Sequence, residues 1–193
     1  TERGATIINP PWFCLESKVL MAAARLPSVQ TRIRERDPEA VQVLHRFLAE
    51  TRLLADGFVD LEELERDRAF WLTKSAGWDG HNWSWGARSL EVGVQTSEAE
   101  WARNLRSRMA LPHPMVAQHF IKSRVFRVPY LDLDGGVKMM EDARSRLTPF
   151  FIRQPDGSVE MAGSMITLRR DSYRIHGASD AAEGAVVFVD EEV

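Results

Sequence analysis

Through the first 76 positions apolar residues recur every three to four residues, the spacing that turns one face of a helix toward a core. Asn9 before Pro10 and Pro11 marks a helix start, because asparagine caps free amides and proline at the first helical position loses no hydrogen bond. The pattern predicts a helix over about 13–26, interrupted at Leu26-Pro27-Ser28, and a second piece with Val29 and Ile33 that ends in an arginine-rich run. Asp37-Pro38 opens a third, in which Val41, Leu44, Phe47, Leu48 and then Leu54 or Ala55 share one face. Asp56-Gly57 ends it, and Asp60 followed by Glu63, in the manner of a capping box, starts a fourth that carries Leu61, Leu64, Phe70 and Trp71.

Beyond Gly77 the texture changes. A glycine-punctuated aromatic stretch with Trp78, Trp83 and Trp85 leads into Leu90, Val92 and Val94, which alternate as a strand, and a bulge or kink in Gly86–Ser89 lets both groups face the core. Thr96 or Ser97 caps a helix of about 98–110, Pro112-His113-Pro114 breaks it, and a short helix near 115–121 follows. Val125–Leu133 reads as a strand with Phe126, Val128 and Tyr130 on one face. Gly136–Leu147 reads as a helix with Val137, Met140, Ala143 and Leu147 inward. The turn Gln154-Pro155-Asp156-Gly157 joins Phe150–Arg153 and Val159–Met161 as a hairpin. Met165–Arg169, Tyr173–His176 and Ala185–Val189 supply further short strands.

The expected fold is therefore α+β: a helical N-terminal part of about four helices, followed by a mixed, largely antiparallel sheet with two helices. One domain over 1–193 is expected, with a helical 1–76 and a strand-rich 77–193 as its sub-division. The chain carries neither an internal repeat nor a linker that forces a boundary.

Composition narrows the setting. With 44% hydrophobic and 27% charged residues among 193, the chain can bury a real core, and no stretch approaches the length of an apolar membrane span. Its single cysteine, Cys14, forms no internal disulfide, which favours a reducing compartment and a cytoplasmic location. The net charge of −3 conceals an uneven distribution. From Trp101 to Leu131 there is no Asp or Glu, while Arg103, Arg106, Arg108, Lys122, Arg124 and Arg127 make the window positive.

Three short segments invite chemistry. Asp56–Glu63 resembles the second half of an EF-hand calcium loop, although Arg52 and Leu54 stand where that loop needs oxygen ligands, and helix termination at Gly57 with capping at Asp60 accounts for the same residues. In Tyr130–Gly136, Asp132 and Asp134 fall on the same side of a strand end before two glycines. That pattern resembles the first motif of haloacid-dehalogenase phosphatases and the paired-aspartate motif of primase-polymerases. The resemblance implies carboxylates holding Mg or Mn beside a phosphate, with His176 as a later partner in the second family; Gly136 stands where the first family usually has Thr. The plain alternative is a strand ending in a turn. Third, Trp78, Asp79, His81, Asn82 and Trp83 could line a stacking pocket or a protein contact, or belong to the core. The five histidines and one cysteine show no zinc spacing.

Two functions compete on this reading, and plain nucleic-acid binding through the same positive window, without a recognisable module, ranks third. The first is a non-enzymatic binding or assembly protein, such as an adaptor, an immunity-type inhibitor or a phage or mobile-element subunit. It would contact a protein with an acidic surface, or a nucleic acid or nucleotide, through Arg103, Arg106, Arg124, Arg127, Trp78, His81 and Trp83, with no cofactor and no membrane. The second is a metal-dependent enzyme of phosphoryl or nucleotidyl transfer with Asp132 and Asp134 as metal ligands.

Overall fold

Helices and antiparallel sheets are both present, so the fold is α+β. The computed structural model describes residues 17–77, 89–170, 172–175 and 181–186. The chain divides into two units, Thr1–Ile121 and Lys122–Val193, each taken by itself below.

In the first unit, α1 (Val19–Ala23), α2 (Pro27–Arg36) and α3 (Ala40–Phe47) precede β1 (Thr51–Leu53); then come α4 (Leu61–Arg66), β2 (Trp71–Ser75), β3 (Glu91–Val92), α5 (Glu98–Met109) and β4 (Met115–His119). The strands form one antiparallel sheet in the order β1-β4-β2-β3. Alternation along β4 divides the core. Met115 and Ala117 join Leu54, Leu64, Trp71, Trp101 and Leu105 on the side of α4 and α5, whereas Val116 joins Ala22 and Ala76 on the side of α1. Trp101 is fully buried, and its indole N–H donates to the Leu64 carbonyl at 2.9 Å, so a large apolar body is buried without leaving its polar atom unsatisfied.

The helix expected near 115–121 is thus a strand. β4 is central and covered on both faces, so its apolar residues run consecutively and the alternation that marks a half-buried strand is lost. The third helix ends at Phe47, well short of 55, because Thr51–Leu53 is drawn into pairing with Val116–Gln118. The fourth ends at Arg66, and Trp71 opens β2. After Val92 the expected strand turns into a 3₁₀ turn at Gly93–Gln95. The helix expected over 98–110 is α5, with Ser97 at its N-cap position but without a side-chain cap bond. Residue 76 directly follows β2 and lies inside the first unit.

The second unit is an antiparallel sheet in the order β5-β6-β7-β8, from β5 (Val125–Leu131), β6 (Val137–Arg153), β7 (Val159–Arg170) and β8 (Ala182–Ala185). The hairpin expected at 150–161 is present as the tip of β6 and β7, with Gly157 at φ 90° in its turn, a conformation that favours glycine. The helix expected over 136–147 is instead the first part of the 17-residue strand β6. Phe126 pairs with Ala143 and Val128 with Met140, so β5 advances two residues while β6 advances three. This bulge puts Met140 and Ala143 on one face at a spacing of three, which imitates a helix in sequence. Tyr173 lies outside any strand, in an irregular segment where Arg144 stacks on its ring at 4.5 Å.

Candidate functional site

Asp132 and Asp134 stand in the tight turn between β5 and β6, where Gly135 takes φ 81°. The strand-then-helix setting implied by the phosphotransfer resemblance is absent, since a strand follows the turn. Asp132 Oδ1 accepts from the Leu133 N–H at 2.8 Å and Asp134 Oδ1 from the Gly136 N–H at 2.8 Å. Their other oxygens share one cation: Lys138 Nζ contacts Asp132 Oδ2 closely and lies 3.2 Å from Asp134 Oδ2. The Lys138 bond, with the Leu133 N–H adding to it, holds the Asp132 carboxyl below its usual pKa; Asp132 and then Asp134 raise that of Lys138. Asp132 also lines a cavity of about 330 Å³ with Tyr130, Met140 and Arg170. Among the described residues no three His, Cys, Asp or Glu side chains are grouped to hold a metal ion.

The four arginines of the positive window divide between the units. Arg103 and Arg106 lie on the exposed side of α5, opposite buried Trp101 and Leu105, and Arg106 pairs with Glu65 of α4 at 2.6 Å. Arg124 and Arg127 belong to the second unit: Arg124 lies over the Phe126 ring at 5.7 Å, and Arg127 pairs with Glu141 at 2.9 Å. Arg108 of the same window bonds Ser89 and pairs with Glu91, and burial holds its pKa below the usual arginine value. Two of the six positive charges therefore turn inward or onto a neighbouring acid within the first unit, and a third is matched in the second.

A different feature stands out in the second unit. Among the described residues, β5 pairs with β6 as far as Arg144, and β8 pairs with β7 from Met165 onward. Among the described residues, 145–153 and 159–164 continue as a two-stranded ribbon, joined beyond its own ladder by the bond from the Val186 N–H to the Ser164 carbonyl. The register places Leu147, Phe151, Met161 and Val159 on the same face as Met140, Ala143, Ile166 and Leu168. The first half of that face is a packed cluster, with Met140, Ala143 and Leu168 buried. The second half is open: Phe151 is 62%, Val159 63%, Leu147 50% and Met161 46% exposed. Phe150 and Ile152 are exposed on the opposite face.

No family model and no curated protein matches the chain. What can be said of its activity comes from geometry. Large apolar side chains at the end of a two-stranded ribbon are costly to leave in water, and contiguous exposed apolar patches are uncommon on monomeric proteins. Arg153 lies on the open face beside Phe151 and Val159, Arg146 on the other, and neither makes an ion pair among the described residues. Aromatic and arginine side chains together are the composition of interface hot spots.

Trp78, His81 and Trp83, together with Trp85, Asn82 and Asp79, lie outside the described residues, as do Cys14 and His176. The ribbon residues were missed in the sequence, although a signal was there. Phe150, Phe151 and Ile152 are consecutive beside a strong turn, and Val159 and Met161 follow it, so a hairpin at that place carries apolar groups on both faces.

Proposed function

We propose that this chain is a non-enzymatic binding or assembly protein whose contact surface is the open apolar face of the β6–β7 ribbon. The observation that carries the reading is the exposure of Leu147, Phe151, Val159 and Met161 in continuity with a packed cluster on the same face. The partner is another protein with an apolar, acid-flanked surface, because Arg153 borders the patch without a carboxylate of its own. Contact is through the face rather than the strand edge: Pro149 has no N–H and lies in the bare stretch of β6, which blunts strand addition there. A cytoplasmic setting belongs to the same proposal. Among the described residues no helix is long and apolar enough to cross a membrane.

Photocrosslinking tests it. A benzophenone side chain at position 151 should give a discrete adduct with a second protein in cells, and the same group at position 103 should give none. An adduct from 103 alone would move the surface to α5, and an adduct of two copies of this chain from 151 would replace the acidic partner with a second copy.

One observation favours the alternative, metal-dependent phosphoryl or nucleotidyl transfer. Asp132 and Arg170 line the same cavity, so a cation and an anion could meet there. Against it, both carboxylates are occupied by Lys138 and by amides of their own turn.

A further inference from the structure

In the first unit, α1, α2, α3 and β1 surround a cavity of about 440 Å³, within the size range of small-molecule sites. Ala23, Leu26, Leu53 and Phe58 give it an apolar wall. Its polar groups differ in how far the protein already satisfies them. Gln30 Nε2 bonds His45 Nε2 at 2.8 Å, which joins α2 to α3, and donates to the Ala24 carbonyl at 3.2 Å. Arg52 is held by Glu63 at 2.7 and 3.1 Å, reaches Glu50, and lies over the Trp71 ring at 4.8 Å. Both sets are spent on the fold.

Arg25 is not. One guanidinium nitrogen donates to the Leu48 carbonyl at the end of α3, and no carboxylate pairs with it among the described residues. A guanidinium carries five N–H donors in a planar fork, so donors remain for a ligand after that single bond. Of the two guanidinium groups on the wall, Arg52 is already matched by Glu63 and Glu50, so Arg25 is the one that has no carboxylate partner among the described residues. A half-buried cation at the edge of an apolar hollow binds an anion more strongly than the same cation in water, because the local dielectric is lower.

We infer that this cavity is a binding site for a small carboxylate with an apolar body, the body seated against Ala23, Leu26, Leu53 and Phe58 and the carboxylate on Arg25. The carboxylate would complete the Arg25 fork with paired, charge-assisted hydrogen bonds, and the body would be held by its removal from water.

Decanoate and decanol, which share a chain and differ in the head group, are suitable probes for calorimetric titration of the full chain. Decanoate should bind saturably at one site, at least about tenfold more tightly than decanol. Arg25→Gln should remove that preference and leave decanol binding unchanged. Ala23→Leu, which fills part of the hollow, should weaken both probes by about tenfold or more. Circular dichroism confirms folding of each variant, and the head-group comparison on the unaltered protein stands should either variant fail to fold. Absence of saturable decanoate binding below about 1 mM, equal affinity for acid and alcohol, or full binding retained by folded Ala23→Leu would each overturn the assignment.

Discussion

Burial, with the positive charge of Lys18 adding to it, pushes the Lys74 ammonium down to about 8, although its Nζ reaches Gln118 Oε1 at 2.8 Å. Gln118 in turn donates to the Thr51 hydroxyl at 3.0 Å, so the amide is fixed between two strands. The folded state therefore releases the Lys74 proton more readily than the unfolded chain. Stability is lowered by the charged form below about pH 8 and rises as pH climbs from there toward the ordinary lysine value. The full span is worth at most roughly 3 kcal/mol. Urea unfolding at several pH values should show this rise in the wild type and a flat profile in Lys74→Met; an equal slope in both would remove Lys74 as its source. Asp60 is simpler. Its carboxylate accepts from the amides of Glu62 and Glu63 at 3.0 and 3.3 Å, so Asp60→Ala should destabilise by about 1 kcal/mol with or without calcium. Glu63 does not complete the capping box, because Arg52 holds its carboxylate. That pair also places a guanidinium against the acid at the end of the EF-hand-like segment, and a calcium-dependent rise in melting temperature would contradict this account.

Single elements show where sequence patterns carry and where they mislead. α5 was legible because Trp101 and Leu105 are four apart and a helix must bury them together, leaving Arg103 and Arg106 outside. β6 was not, because a bulge gave Met140 and Ala143 the spacing of a helix and only pairing with β5, distant information, decides between the two. β4 failed for the opposite reason, its burial on both faces erasing any period. The paired aspartates were legible as residues but not as a site, since their meaning depended on whether a helix or a strand followed. On α5 the placement has a testable consequence. Arg103→Glu should be neutral to within about 0.5 kcal/mol, while Arg106→Glu should cost up to about 1 kcal/mol by setting a like charge beside Glu65. Equal unfolding midpoints for the two variants would show that the Arg106–Glu65 pair contributes nothing.

At the scale of the whole molecule, the two units distribute their apolar residues differently. The first encloses Trp101, Leu64 and Leu105 between a sheet and helices, while Phe47 and Phe70 stand exposed singly on separate elements. In the second, the packed cluster around Met140, Ala143 and Leu168 runs out into an open apolar ribbon. That continuity is what the proposed function rests on, and it puts the proposed contact on the ribbon rather than on Arg103 and Arg106 of α5, which the sequence alone favoured. The decisive measurement is affinity capture from the native cell extract with three forms of the chain: wild type, Phe151→Asp with Val159→Asp, and Arg103→Glu with Arg106→Glu. The account predicts that one acidic protein is retained by the wild type and by the α5 double variant. It should be lost from the ribbon double variant, whose folding is checked by circular dichroism. Retention of that protein by the folded ribbon variant, together with its loss from the α5 variant, would contradict the account and return the contact to the positive face of α5.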